Sequence, residues 1–276
     1  MLDFMPFFRK EPESEYERLA AQVVLMQADS EFAGAYGYYD LVPIIQRYSL
    51  EEMLIVSKTA HEEFEHALRC FKILDDMGFD SDSWVWTHDK NYRWRIKEGK
   101  TLAVLGARPT NDGRVNIFYY PLALPGNPTH TAIRFAIFQF LQDRGAGVQL
   151  QDALNSNFAP WAKENREIML EEQDHLEHGE RKLAELRREY PKLVDREIKL
   201  WLPRVVATFG KPNSEFDKQL RKHRITSRTH EEKLRDFLDG DEGIHTANER
   251  SNIGLTLPST DEIIDMWQKG HYLKTI

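Results

Sequence analysis

Glu63 and His66, and again Glu172 and His175, stand three positions apart inside stretches of helical periodicity. Residues i and i+3 share one face of an α-helix, so each pair aims a carboxylate and an imidazole at one point. That donor set can grip a transition metal. Glu31 precedes Glu63 by 32 positions and Asp143 precedes Glu172 by 29, separations that suit a helix, a connection and the facing point on the next helix. The order carboxylate, Glu-x-x-His therefore occurs twice. A third Glu-x-x-His, Glu242 to His245, sits in Asp239-Gly240-Asp241-Glu242-Gly243, which reads as a turn and a chance match.

Glu31, Glu63, Asp143 and Glu172 together carry four negative charges, which two divalent metal ions neutralise. Buried without metal, the same groups would repel and take up protons. In helix bundles with a di-metal centre, two helices each give Glu-x-x-His and the other two each give a carboxylate. Glu62 and Glu171, each next to a candidate ligand, are placed to orient His175 and His66 by accepting their free N–H. His178, one turn past His175, reads as a neighbour or a surface group rather than a ligand, as do His61 and His130. Gln139, 33 positions before Glu172, rivals Asp143 as the fourth contributor, but a neutral amide would leave the metal charge unbalanced.

The elements that must position these groups follow from periodicity and from caps. An apolar stripe at Leu19, Val23 and Val24 predicts a helix over about 13–38 carrying Glu31. Ser49-Leu50-Glu51-Glu52 and Met77-Gly78 bound a second helix at about 50–77. Asn127-Pro128 starts a third that leads to Asp143, with Arg144-Gly145 as its candidate end, which would put Asp143 in an unfavourable last turn. Pro160 and Pro191 bound a fourth at about 160–189. Between the second and third, residues 79–127 lose periodicity and gather Trp84, Trp86, Tyr92, Trp94, Phe118, Tyr119 and Tyr120, an insert suited to roofing a cavity, meeting a partner or packing as a satellite core. After Pro191 come a helix kinked at Pro203, a polar connector, a helix capped by Thr229, an irregular stretch at 243–258 and a last helix capped by Ser259. The expectation is an all-α fold: one ferritin-like domain spanning 1–276, with a four-helix bundle core at about 13–190 and extra helices at 191–276.

Composition sets the outer limits. The 276 residues are 41% hydrophobic and 30% charged, ordinary for a globular chain able to bury a sizeable core. Net charge is -8, which argues against nucleic acid and anionic membranes as partners. The lone Cys70 excludes an internal disulfide and any cysteine-ligated cluster held within the chain, and it fits a reducing compartment. No apolar run spans a membrane, and the first residues do not have signal-peptide order, so the expected location is the cytoplasm.

Asp29-Ser30-Glu31-Phe32-Ala33-Gly34, Phe118-Tyr119-Tyr120-Pro121, Leu141-Gln142-Asp143-Arg144-Gly145-Ala146 and Glu171-Glu172-Gln173-Asp174-His175 resemble the catalytic subunit of bacterial phenylacetyl-CoA epoxidase, in the phenylacetic acid catabolic protein family. Trp201-Leu202-Pro203 with Phe209-Gly210 is similar to that family too. The likeness covers roughly residues 15 to 225 and is strongest at the metal motifs. It implies two iron ions held by Glu31, Glu63, His66, Asp143, Glu172 and His175. It also implies a di-iron monooxygenase that epoxidises an aromatic or unsaturated CoA thioester such as phenylacetyl-CoA, working beside other oxygenase subunits as a hetero-oligomer or as a homo-oligomer. Electrons must come from a separate reductase, since the chain has neither cysteine clusters nor a strand-borne G-x-G-x-x-G. Two basic runs, Arg221, Lys222, Arg224 and Arg228, and Arg93, Arg95, Lys97 and Lys100 beside Trp94, could hold CoA phosphates. Two other functions use the same residues: a ferritin- or rubrerythrin-like protein that oxidises iron or scavenges peroxide, and a non-catalytic partner subunit of an oxygenase.

Overall fold

The first two long helices each begin at a serine cap. Ser14 accepts a hydrogen bond from the Glu17 amide and opens α1 (Glu15–Tyr39). The short α2 (Val42–Ile45) follows, and Ser49 caps α3 (Leu50–Asp76) in the same way. Gly78, at φ +88°, terminates α3 in a left-handed conformation that a side chain would resist. The computed structural model describes residues 4–87 and 122–270. Asn127 and Pro128 open α4 (Pro128–Phe138), which continues through a π-helical turn (Gln139–Asp143) into α5 (Arg144–Ala153). The helix therefore does not stop at Arg144-Gly145. Asp143 sits in its interior, and the last-turn dipole cost predicted for it does not arise.

Then come α6 (Ala159–Glu189), α7 (Pro191–Thr208) with Pro203 inside it, α8 (Glu215–Lys222), α9 (His230–Asp239), α10 (Ile244–Arg250) and α11 (Thr260–Gln268). Thr229 and Ser259 form full capping boxes with Glu232 and Glu262. Two stretches expected to lack structure contain helices: the connector after Gly210 holds α8, and the run from 243 holds α10. The described residues contain no strand, only an isolated bridge between Phe8 and Phe79. The fold is all-α. No helix among the described residues is long and apolar enough to cross a membrane.

Helix α1 packs along α3, α3 against α6, and α4, the π turn and α5 against α6. The buried apolar side chains divide into two clusters. One joins the ends of α1, α3 and α6 nearest Tyr38, Val56 and Leu183 to α4, α7 and the C-terminal helices. The other joins Leu19 to Ala28 of α1, Ala67 to Leu74 of α3, Trp84 and Trp161. Between them runs a polar layer, and every candidate ligand lies in it. Of the aromatic insert, Trp84 is packed in the second cluster and donates from Nε1 to Asp29 Oδ1 at 3.0 Å, whereas Trp86 is exposed. Tyr92, Trp94, Phe118, Tyr119 and Tyr120 lie outside the described residues, as do Arg93, Arg95, Lys97 and Lys100.

Candidate metal centre

The helical spacing in α3 turns Glu63 and His66 inward, and that in α6 does the same for Glu172 and His175. Donor atoms of Glu31, Glu63, His66 and Glu172 lie within 4.8 Å of one another, and so do those of Asp143, Glu172 and His175. All six candidates are thus brought together, in two groups that share Glu172. All are buried except Glu31, which is half-buried. Glu63 also reaches across, with Oε1 3.8 Å from His175 Nδ1.

Each imidazole is held from behind. His66 Nε2 bonds Glu171 Oε2 at 2.8 Å, and His175 Nε2 bonds Glu62 Oε2 at 3.1 Å. The pairing read from the sequence is the pairing found: Glu62 serves His175 and Glu171 serves His66, each across the α3–α6 contact. The orienting carboxylates are themselves anchored. Lys58 Nζ lies 3.1 Å from Glu62 Oε1, and Arg69 Nη2 lies 3.5 Å from Glu171 Oε1. Carboxylate binding at Nε2 fixes a tautomer with its lone pair on Nδ1. The Nδ1 atoms of His66 and His175 are buried, face the cluster and have no hydrogen-bond partner. A buried polar atom left unpaired costs about 1–3 kcal/mol. Two such nitrogens aimed into four carboxylates fit a pair of metal ions.

Outer contacts missed in the sequence complete the centre. Tyr38 Oη donates to Asp143 Oδ1 at 3.1 Å. Gln27 Nε2 donates to Glu31 Oε1 at 3.1 Å and to Asn165 Oδ1 at 2.9 Å, while Trp161 Nε1 donates to Gln27 Oε1 at 2.6 Å. Gln27 precedes Glu31 by one helical turn, a signal that could have found it; nothing in the sequence singles out Tyr38 or Trp161. Gln139, the rival for Asp143, turns its Oε1 to His178 Nδ1. His178 is buried one turn from the site, and its Nε2 bonds Glu52 Oε2 at 3.1 Å. His130 is likewise buried, against Glu197 at 2.7 Å, while His61 is exposed. Glu242, of the third Glu-x-x-His, instead pairs with Arg250.

Without metal the site holds protons. Burial, with the charge of Glu172 added, raises Asp143 to about 8, and burial with Glu172 and Glu31 nearby raises Glu63 well above the carboxylate range. Burial also raises Glu31, against the pull of His66. Burial alone would lower His66, but the approach of Glu172 Oε1 to within 3.4 Å of Nδ1, the charge of Glu31 and the hydrogen bond to Glu171 outweigh it and hold His66 at about 9. Glu172, between both imidazoles, is the exception: burial would raise it, yet His175 and His66 bring it down to about 2. It is the carboxylate most fully ionised and the one both groups share. Of the basic run at 221–228, Arg221 Nε lies 3.1 Å from Asp217 and Arg228 Nη1 lies 2.7 Å from Asp236. No family model matches the chain, and no curated protein matches it at a significant level.

Proposed function

We propose that the chain is a ferritin-like di-iron oxygenase, with Glu31, Glu63, His66 and Glu172 holding one ion and Asp143, Glu172 and His175 the other. The observation that carries this reading is the pair of buried, unpartnered Nδ1 atoms facing a surplus of carboxylates. Two iron ions there would supply the redox chemistry that activates O2 and transfers one oxygen atom to an unsaturated or aromatic ring. The chain's own residues balance and orient. The four carboxylates offset the ionic charge, Glu62 and Glu171 fix the imidazole tautomers, and Tyr38 and Gln27 restrain Asp143 and Glu31. The two apolar clusters on either side keep bulk water from the reacting atoms.

Transfer of one oxygen atom consumes O2, two electrons and two protons and releases one water. The single cysteine, Cys70, is buried and cannot carry those electrons, so a separate reductase supplies them. The family resemblance directs the substrate search to acyl-CoA thioesters bearing an aromatic ring, with phenylacetyl-CoA first. The test is to load the protein with Fe(II), supply a chemical reductant, 18O2 and phenylacetyl-CoA or a related thioester, and examine the product by mass. One 18O atom in a product that needs the reductant supports the proposal. Sustained oxidation of excess Fe(II) with no organic substrate would instead identify an iron-oxidising protein.

A further inference from the structure

Arg144 directly follows Asp143, and its guanidinium is almost wholly buried. Its Nε donates at 3.2 Å to the carbonyl of Phe140, inside the π turn, and the guanidinium lies over the Phe140 ring at 5.1 Å. Nη2 donates to Glu180 Oε2 at 2.8 Å, and Nη1 donates to the Glu242 carbonyl, with the Glu242 carboxylate at 3.3 Å. Arg250 closes the set: Nη2 lies 2.8 Å from both Glu180 Oε2 and Glu242 Oε2. Two arginines thus meet two carboxylates, one from α6 and one from the turn before α10.

A π turn accommodates one more residue than an α turn, so side chains within and beyond it point in directions a plain α-helix would not give them. Such turns are rare and occur as single insertions in α-helices, so contacts from outside the turn must favour this one. Arg144 grips this turn alongside the Gln139–His178 and Asp143–Tyr38 contacts, and Glu180 of α6 together with Glu242 and Arg250 of the C-terminal segment fixes Arg144. We infer that Arg144, locked by Glu180, Glu242 and Arg250, is a positioning residue that maintains the π turn and thereby sets where the Asp143 carboxylate meets the metal centre. The C-terminal extension then contributes to the centre without touching it. This rests on the metal-centre reading above.

The test uses the full chain titrated anaerobically with Co(II), following bound ions per chain and visible absorption. The wild-type protein should bind two ions. Arg144→Gln and Arg250→Ala should leave one ion bound as before, weaken the other by about tenfold or more, and change the absorption of that second ion. Should Arg144→Gln fail to fold, Arg250→Ala carries the test, because Arg250 stands at the partly exposed rim. Lys233→Met is the control: it breaks the buried pair between Lys233 of the same extension and Asp152, at the end of α5 far from the π turn. It should lower the melting temperature and leave both ions bound as in the wild type. Two ions bound equally tightly by Arg250→Ala, or equal weakening in Lys233→Met, would overturn the positioning role while the metal-centre reading stands. A wild-type chain that binds no pair of ions would overturn both.

Discussion

Helix α6 carries two kinds of buried polar cluster little more than one turn apart, and they are built to opposite rules. Around Glu180, each carboxylate meets an arginine: Arg144 and Arg250 answer Glu180 and Glu242. Around Glu52, Lys182 Nζ lies 3.0 Å from Oε1 and His178 holds Oε2. The layer at Glu172 gathers four carboxylates with two imidazoles, and among the described residues no arginine or lysine is paired with any of the four. Where the role is structural, the chain provides the countercharge. Where it provides carboxylates in excess and leaves two imidazole nitrogens unpaired, the proposed metal ions would supply the missing positive charge.

The strongest way to break that contrast is Glu172→Ala. Glu172 belongs to both donor groups, so the variant should lose both ions, whereas Asp143→Ala should lose one and Gln139→Ala neither. Metal analysis of the three proteins, loaded alike, checks the ranking; retention of both ions by Glu172→Ala would break the comparison. Chelation should come next in size. Each ion present at 100 times its dissociation constant stabilises the fold by about 2.7 kcal/mol, so the metal-free protein should melt well below the loaded one. Lys182→Met sharpens the contrast from the other side. Removing the cation beside Glu52 should cost on the order of 2 kcal/mol in both the loaded and the metal-free protein, since metal plays no part there. Chemical denaturation of both forms measures it.

Smaller still is the effect of pH. His66 is raised from its usual 6.5 to about 9, and Asp143 from 3.8 to about 8. In the metal-free protein both bind more protons folded than unfolded, so each favours folding at low pH and loses that contribution as pH rises through its folded value. From pH 6.5 to about 9 the metal-free fold should lose stability, while metal affinity should rise as the competing protons leave. Denaturation and metal binding measured across that range should show opposite slopes. Parallel slopes would mean that the imidazoles and Asp143 are not the groups the metal displaces protons from.

The donor set was legible because Glu-x-x-His states its geometry in its spacing, and the helix starts were legible because Ser49, Asn127-Pro128, Thr229 and Ser259 are chemical signals. The π turn was not. Gln139-Phe140-Leu141-Gln142-Asp143 would suit an ordinary helix, and tertiary contacts decide otherwise. Gly179 is one of them: a Cβ there would stand 2.6 Å from Gln139 Cβ and 2.9 Å from the Phe140 amide nitrogen, so α6 can approach the turn only because that position is glycine. Helix α8 did have a signal, Ser214 accepting from the Asp217 amide, hidden in a polar stretch. Helix α10 has no side-chain cap, and its burial comes from Ile244 and Ala247 against neighbours distant in sequence.

The most direct measurement is the number of metal ions bound per chain by protein reloaded anaerobically with Fe(II) after complete chelation. Four carboxylates, two imidazoles and no arginine or lysine among them predict two ions, lost together when Glu172 is replaced. A chain that binds one ion or none, or that melts at the same temperature with and without iron, would contradict the assignment of this layer as a di-metal centre.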